Sequence, residues 1–339
     1  MLSGTYSGAR VMRRFVLTVL LLCFALTAVA CGGSDDGAGD DPVAAANQVD
    51  VADFPKTDGK KSIEDLQREV SAEQDANLLP ATNNFPAGRE NRLPFGLFDA
   101  ERKPFWGPTM MYLSVDGEPA EGPFPVKAHG FDVADEFTSE TSRSDIDAIG
   151  NGYYTATIPK SKAGDKVNVL TLTKTPAGFQ AAATGLTIAK SDPTPAPGEK
   201  VPAIETRTLS EYPAAEIDTR TPPSGLQKLS LKNALKNGKP TVLIFATPKL
   251  CASRVCSPIV DVALQVQSEY GDRVNFLHNE IYNENDLNKG MRPEVEAFGL
   301  PMEPYTFVIG ADGRVVAQLA GPFDQAELRS AIDSALAED

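Results

Sequence analysis

The spacing of apolar positions predicts an all-β region in the middle of the chain. Between residues 93 and 191, short apolar runs alternate with turn residues, a rhythm typical of antiparallel strands in a small sandwich. Asp116-Gly117 follows one of these runs and indicates a hairpin. The predicted strands cover residues 93–98, 109–115, 125–129, 152–158, 167–173 and 179–189.

The pattern changes to α/β after residue 226. Residues 241–246 form a continuous apolar run, which is typical of a central strand buried on both faces. Ser257 and Pro258 then favour the start of a helix, with the serine as N-cap and the proline as the first helical residue. Apolar residues recur on one face of this helix until Gly271, which is expected to end it.

Short elements are predicted around this strand and helix. Ser230 is expected to cap a short helix, and Pro293 is expected to open another. Asp324 and Glu327 have the spacing of a capping box at the start of the last helix. The remaining predicted strands cover residues 274–277, 305–309 and 314–319.

Two stretches have compositions that predict connections rather than packed structure. Residues 32–60 are rich in Gly, Asp and Ala and carry few large apolar side chains, which favours a flexible tether, and a loose helical pattern follows over residues 62–79. A second stretch begins with the proline-rich residues 192–198 and predicts a linker. The predicted organisation is a signal peptide (1–30), a flexible tether (31–88), a β-sandwich domain (89–191), a linker (192–225) and an α/β domain (226–339).

The N-terminus has the layout of a secretory signal peptide. Met12-Arg13-Arg14 precedes an uncharged run over residues 15–30, which is short for a membrane span. The run from Ala28 to Cys31 resembles a bacterial lipobox, although Ala28 stands where that pattern prefers Leu. The resemblance implies a lipid on Cys31 and a protein anchored at the extracytoplasmic face of the cell membrane. A plain secreted protein is the alternative.

Charge and missing motifs exclude several classes of function. The chain has 46 acidic and 32 basic residues, a net charge of -14, and such a surface repels nucleic acid. It carries no phosphate-binding loop, no nucleophile elbow and no metal-binding motif. We therefore expect no cofactor, no resident metal and no nucleic-acid partner.

The candidate chemistry lies between the strand over residues 241–246 and the helix that follows. Cys251 and Cys256 fall there, and the free amides and dipole of a helix N-terminus favour a thiolate. Arg254, between the two cysteines, could add a positive charge that stabilises the thiolate. Disulfide exchange needs an accessible thiolate and a second sulfur close enough to resolve a mixed disulfide.

This order of elements around the cysteines resembles the thioredoxin-like superfamily over residues 226–339, a third of the chain. The resemblance implies that Cys251 is the attacking thiol and Cys256 the resolving one. It also implies a cis peptide bond between Glu303 and Pro304, and a substrate groove that these two residues help to form. The middle region resembles the immunoglobulin-like domains of bacterial envelope proteins.

The cysteine spacing departs from the family pattern, which is Cys-x-x-Cys preceded by Trp. Here four residues separate the cysteines, and Leu250 precedes them. Five residues of continuous helix would separate the Cα atoms by about 8 Å, too far for a disulfide. If the pair is bonded, Cys251 must therefore lie in the loop ahead of the helix. The family's buried acid just before the motif is also missing, because Ile244 and Phe245 occupy that region.

The favoured hypothesis is a membrane-anchored thiol-disulfide oxidoreductase that acts on exported proteins with thiols or disulfides, or on a redox partner in the membrane. The first alternative is a non-enzymatic lipoprotein that binds a partner through its sandwich, with a structural disulfide. A thiol peroxidase, suggested by Thr247-Pro248, and a metal site of the two cysteines with His278 are lesser alternatives.

Other polar residues receive ordinary expectations. We expect His129 to be a satisfied histidine, Trp106 to serve packing, and His278 to face solvent. Three acidic residues after the strand over residues 274–277 are expected in a solvated loop, with a substrate groove as the alternative. They are Glu280, Glu284 and Asp286.

Overall fold

The computed structural model describes residues 41–72 and 76–337. These belong to one compact unit, Asp40–Asp339. The predicted signal peptide and Cys31 lie outside the described residues. Within the described ranges, no helix combines the length and the apolar character needed to cross a membrane.

The first part of the unit is rich in strands. Its helices and strands are α1 (Pro42–Ala46), α2 (Ile63–Glu69), β1 (Asn77–Pro80), β2 (Asn91–Phe98), β3 (Thr109–Val115), β4 (Glu121–Pro125), β5 (Lys127–Gly130), α3 (Glu140–Ile149), β6 (Gly152–Ile158), β7 (Lys166–Thr175) and β8 (Gly178–Thr187). They form two four-stranded antiparallel sheets with the orders β1-β2-β6-β5 and β4-β3-β7-β8.

The two sheets share a core because successive residues of a strand point to opposite faces. Met111 and Leu113 of β3 join Leu93 and Phe95 of β2 in one buried apolar cluster. Every strand predicted in this region is present, and β3 and β6 have the expected bounds. The alternation of apolar runs and turn residues therefore predicted these strands correctly.

Four elements of this region were not predicted, and the first of them is α1, which lies in the predicted tether. Strand β1 lies inside the predicted tether and pairs with β2 of the sandwich. Strand β4 is exposed or half-buried throughout and contains two prolines, so it lacks an apolar alternation. Helix α3 buries only two side chains, Ser142 and Asp145, and both are polar. The helix therefore buries no apolar stripe from which the sequence could predict it.

The prediction of a flexible tether over residues 31–88 is wrong for residues 41–72 and 76–88. Phe54 and Leu66 are buried against Tyr112, on the face of β3 that points away from the sandwich core. The Tyr112 hydroxyl donates to the backbone oxygen of Pro55 at 2.8 Å. A few large side chains anchor a segment whose average composition is that of a tether. Helix α2 matches the start of the loose helical pattern, and its N-terminus carries a capping box.

The second part of the unit is α/β. Its elements are α4 (Ala214–Ile217), α5 (Leu231–Ala234), β9 (Thr241–Phe245), α6 (Cys256–Tyr270), β10 (Asn275–Asn279), α7 (Pro293–Ala297), β11 (Tyr305–Ile309), β12 (Val315–Ala320) and α8 (Gln325–Ala337). The strands form one sheet in the order β10-β9-β11-β12. Strand β10 is parallel to β9, whereas the other neighbours are antiparallel.

The predicted succession of elements after residue 226 is confirmed. The predicted start of α6 is wrong by two residues: the helix begins at Cys256 and its N-cap is Val255. The Ser257 hydroxyl instead donates to the backbone oxygen of Pro248 at 3.3 Å. The capping box at α8 is present, because the Glu327 amide donates to Asp324 at 2.7 Å and Glu327 accepts from the Asp324 amide at 3.3 Å.

The prediction of a loose linker over residues 192–225 is also wrong. Thr194, Asp218 and Arg220 are buried. The Thr194 hydroxyl lies 3.1 Å from that of Tyr305 at the start of β11. This segment is therefore packed into the fold at these residues, although its prolines predict an extended connection.

The packing of residues 41–72 is testable by truncating one side chain. We expect Leu66→Ala to lower the free energy of unfolding by about 3 kcal/mol, because it opens a cavity in a fully buried site. The matched control is Leu79→Ala on β1, where the side chain is 54% exposed and the cost should be below about 0.5 kcal/mol. Urea unfolding of the full-length chain in detergent measures both, and equal curves would contradict the packing.

Candidate functional site

The two cysteines form a disulfide at the start of α6. Their Cα atoms are 6.0 Å apart. Cys256 is the first residue of α6 and is fully buried, whereas Cys251 lies in the preceding loop and is partly exposed. The expectation that a bonded Cys251 must lie ahead of the helix is confirmed.

A tight turn brings Cys251 back towards the helix. The Arg254 amide donates to the backbone oxygen of Cys251 at 3.3 Å. Arg254 has a φ of 60°, in the left-handed region that residues other than glycine rarely adopt. Its side chain is half exposed, and Nη1 lies 3.7 Å from Oδ1 of Asp145 on α3. The residue predicted to stabilise a thiolate is thus paired with a carboxylate, and its effect on the sulfurs stays a prediction.

Glu303 and Pro304 lie at the same end of the sheet as the cysteine loop. The peptide bond between them is cis, as predicted. They precede β11, which pairs with β9 through Tyr305 and Phe245, and β9 leads into the cysteine loop. Pro304 is buried and Glu303 is partly buried. Their contact with a substrate stays a prediction.

Glu280 contradicts the expectation of a solvated loop. It is fully buried, whereas Glu284 is exposed as expected. The Oε1 atom of Glu280 accepts hydrogen bonds from the Thr219 amide at 2.6 Å and from the Thr219 hydroxyl at 2.7 Å. The same hydroxyl accepts from the amide of Lys249, two residues before Cys251. Glu280 is therefore connected to the cysteine loop through Thr219.

Glu280 and Glu303 form an unusual pair of carboxyl groups. Each has a buried Oε2 with no hydrogen-bond partner among the described residues. Burial and the charge of Glu280 raise the pKa of Glu303 to about 7. A group with this pKa exchanges protons near neutral pH, the range in which thiols and thiolates interconvert.

His278 is buried, so the expectation that it faces solvent is wrong. Its Nε2 lies 3.0 Å from the backbone oxygen of Ala246, and its Nδ1 lies 3.7 Å from Asp218. Burial alone would lower the pKa of His278, but the Asp218 carboxylate, the charge of Glu280 and the backbone oxygen of Ala246 together outweigh it and raise the pKa. Although burial acts in the opposite direction, His278 holds the pKa of Asp218 well below its usual range. His278 thus braces the chain at the end of β9 through Ala246, and a metal site of His278 with the two cysteines stays a prediction.

A buried ion pair joins three segments behind the disulfide. Arg220 Nε donates to Asp261 Oδ1 on α6 at 2.7 Å, and both side chains are nearly inaccessible. The guanidinium also donates to the backbone oxygens of Pro222 and Phe137. The other oxygen of Asp261 accepts from the amide and hydroxyl of Ser139, the N-cap of α3. The sequence offered no signal for this cluster, because its members are isolated polar residues.

One group in the described residues has the spacing of a cation site: His129, Asp324 and Glu327. Its atoms are already engaged. His129 contacts Asp324 through Nδ1 and Thr155 through Nε2, both at 2.7 Å. Glu327 accepts from Arg92 at 2.8 Å. His129 is a satisfied histidine, as expected, and this cluster ties β5 to the start of α8.

Trp106 has the packing role expected of it. Its ring lies 5.0 Å from the ring of Tyr154, measured between centroids, and it packs against the apolar core of the sandwich. It contributes to the fold rather than to the candidate site.

The pKa of Glu303 generates a prediction for stability. A carboxyl that keeps its proton to about pH 7 when folded, but ionises near pH 4.5 when unfolded, makes the folded state lose stability as pH rises between these values. As the pH rises from 5 to 8, the free energy of unfolding of Glu303→Gln should rise by about 2 kcal/mol relative to that of the original protein. This figure is reduced because Glu303 is partly accessible to solvent.

Urea unfolding at a series of pH values measures this difference. Glu296→Gln is the matched control, because Glu296 is exposed on the nearby helix α7 and should leave the pH dependence unchanged. A Glu303→Gln curve that runs parallel to the original would show that Glu303 is ionised throughout.

The buried ion pair generates a second prediction. We expect Arg220→Gln to lower the free energy of unfolding by about 3 kcal/mol, because it leaves Asp261 buried without its cation. Arg143→Gln removes a surface partner of Asp135 that is more than half exposed, and should change stability by less than about 0.5 kcal/mol. Thermal and urea unfolding of both variants decide whether residue 220 belongs to a linker or to the core.

Comparisons with known proteins give limited likeness. No family model and no curated protein matches the chain. A thioredoxin-family thiol:disulfide interchange protein from Chlorobium tepidum TLS is 22% identical, with a TM-score of 0.29, and the match covers 44% of this chain and 99% of that one.

Two further solved structures are less similar in sequence. Titin M4 is 8% identical, with a TM-score of 0.19, over 34% of this chain and 98% of that one. Purple acid phosphatase PPD1 from yellow lupin (Lupinus luteus) seeds is 10% identical, with a TM-score of 0.26, over 77% and 48%. At TM-scores below 0.5, none of these likenesses carries an argument about this chain.

Proposed function

We propose that this protein is a thiol-disulfide oxidoreductase, anchored by a lipid on Cys31 at the extracytoplasmic face of a membrane. The observation that carries the proposal is the asymmetry of the disulfide. Cys251 is partly exposed in a loop, whereas Cys256 is fully buried at the first residue of a helix. An exchange reaction needs one sulfur that a substrate can reach and one that acts afterwards.

In the proposed reaction, the reduced protein attacks a substrate disulfide with the Cys251 thiolate. A mixed disulfide forms, the substrate disulfide breaks, and one substrate sulfur leaves and takes up a proton. The Cys256 thiolate then attacks Cys251 Sγ and releases the second substrate thiol. The protein ends as the Cys251–Cys256 disulfide seen here, having given two electrons to the substrate. The reverse sequence oxidises a substrate dithiol.

The surroundings of the pair support this chemistry. The amides of the first turn of α6 favour negative charge on the sulfurs. Glu303, with a pKa of about 7, supplies a proton-exchanging group at the same end of the sheet. Residues 226–339, with the element order that the thioredoxin-like resemblance implies, form the proposed catalytic domain. The predicted partners are exported proteins with thiols or disulfides, or a membrane redox protein.

The reduction potential of the cysteine pair tests this function. We expect a value between about -120 and -270 mV when the full-length chain in detergent is equilibrated with glutathione buffers and its thiols are counted by alkylation. A value well below about -300 mV, or thiols that do not form the disulfide, would overturn the proposal. A non-enzymatic lipoprotein with a structural disulfide would then be the better description.

A further inference from the structure

Helix α3 belongs to the chain between strands β5 and β6 of the sandwich, yet it packs against α6, the helix that begins with Cys256. Ser139, its N-cap, is bound to Asp261 on α6 through two hydrogen bonds of 2.8 and 3.1 Å. Arg220 fixes the other oxygen of Asp261. The N-terminus of α3 is therefore locked onto the helix that holds the disulfide.

The next turn of α3 reaches the cysteine loop. Asp145 is only 7% exposed, and its Oδ1 lies 3.7 Å from Nη1 of Arg254, between the two cysteines. Burial raises the pKa of Asp145, while a hydrogen bond with Ser257 and the charge of Arg254 act in the opposite direction. Asp145 thus interacts with a residue on each side of Cys256 in the sequence.

The other charged groups described above are placed differently. Lys249, on the loop, is exposed. Arg220 and Asp261 neutralise each other behind α6. Glu280 and Glu303 lie at the ends of the strands. Asp145 is therefore the carboxylate that is paired with Arg254, the cation between the two cysteines.

We infer that Asp145 sets the reduction potential of the Cys251–Cys256 pair by holding Arg254 in an ion pair. The inference rests on the proposed function and names a positioning residue for it. Without Asp145, the guanidinium would be free to stabilise a thiolate. With it, the reduced form is less favoured, and the pair becomes a weaker oxidant. A residue from the sandwich part of the chain thereby tunes the chemistry of the α/β part.

The test compares Asp145→Asn with the original full-length chain in detergent. We expect the equilibrium with glutathione to shift about tenfold towards the reduced protein, equivalent to about +30 mV, because the Arg254 guanidinium is no longer neutralised and can stabilise a thiolate. Asp147→Asn, an exposed acid on the same helix, is the matched control and should shift the equilibrium less than twofold. An unchanged potential in Asp145→Asn would overturn the inference.

A second variant keeps the inference testable if Asp145→Asn unfolds. Arg254 has a half-exposed side chain, so Arg254→Gln should fold. In the Arg254→Gln background, Asp145→Asn should change the potential by less than half as much as it does in the original chain, since the effect passes through the guanidinium. The inference is wrong if Arg254→Gln raises the potential, or if Asp145→Asn keeps its full effect in the Arg254→Gln background.

The two hypotheses fail in different ways. Equilibration with dithiothreitol as well as glutathione gives a potential for the original chain whatever its value. A strongly reducing value would refute the proposed function while the difference between variants still decides the role of Asp145.

Discussion

The buried ion pair between Arg220 and Asp261 is the interaction on which the rest of the arrangement depends. Two charges removed from water are tolerated only when each is paired and hydrogen-bonded. Here Asp261 also accepts from Ser139, and Arg220 also donates to the backbone oxygens of Pro222 and Phe137. One carboxylate on the cysteine-bearing helix thus fixes helix α3 and the segment before β9.

A second polar contact lies at α8, which packs in the same apolar cluster as α6. Arg92 on β2 and His129 on β5 bind Glu327 and Asp324 at the start of α8. The sandwich therefore contacts α6 and α8 through charged groups as well as through the apolar side chains of Phe131 and Tyr153. Charged contacts require particular positions of their partners, so they favour one relative arrangement of the sheets. This fits a unit in which α3 is placed against the cysteine loop.

The sequence predicted most accurately those elements whose burial is apolar. Strands β3 and β6 have the expected bounds, and the run over residues 241–246 contains the central strand β9. Helix α3 was missed because its buried residues are Ser142 and Asp145. The cysteine pair was found from its position between a strand and a helix. Glu280 was expected in a solvated loop and Arg220 in a linker, because no local pattern tells a buried, partnered charge from a solvated one.

The same limit explains why the candidate site looked simpler in the sequence than in the structure. Two cysteines, an arginine, a glutamate and a proline suggested a site built from residues 251–256 and 303–304. The structure adds Thr219 and Asp145 from two distant segments, the first bound to the loop amide of Lys249 and the second to Arg254. Both act on the loop rather than on the sulfurs. The reactivity of a cysteine pair depends on the charges held near it. The segments that carry Thr219 and Asp145 therefore contact the cysteine loop, although both lie outside residues 226–339.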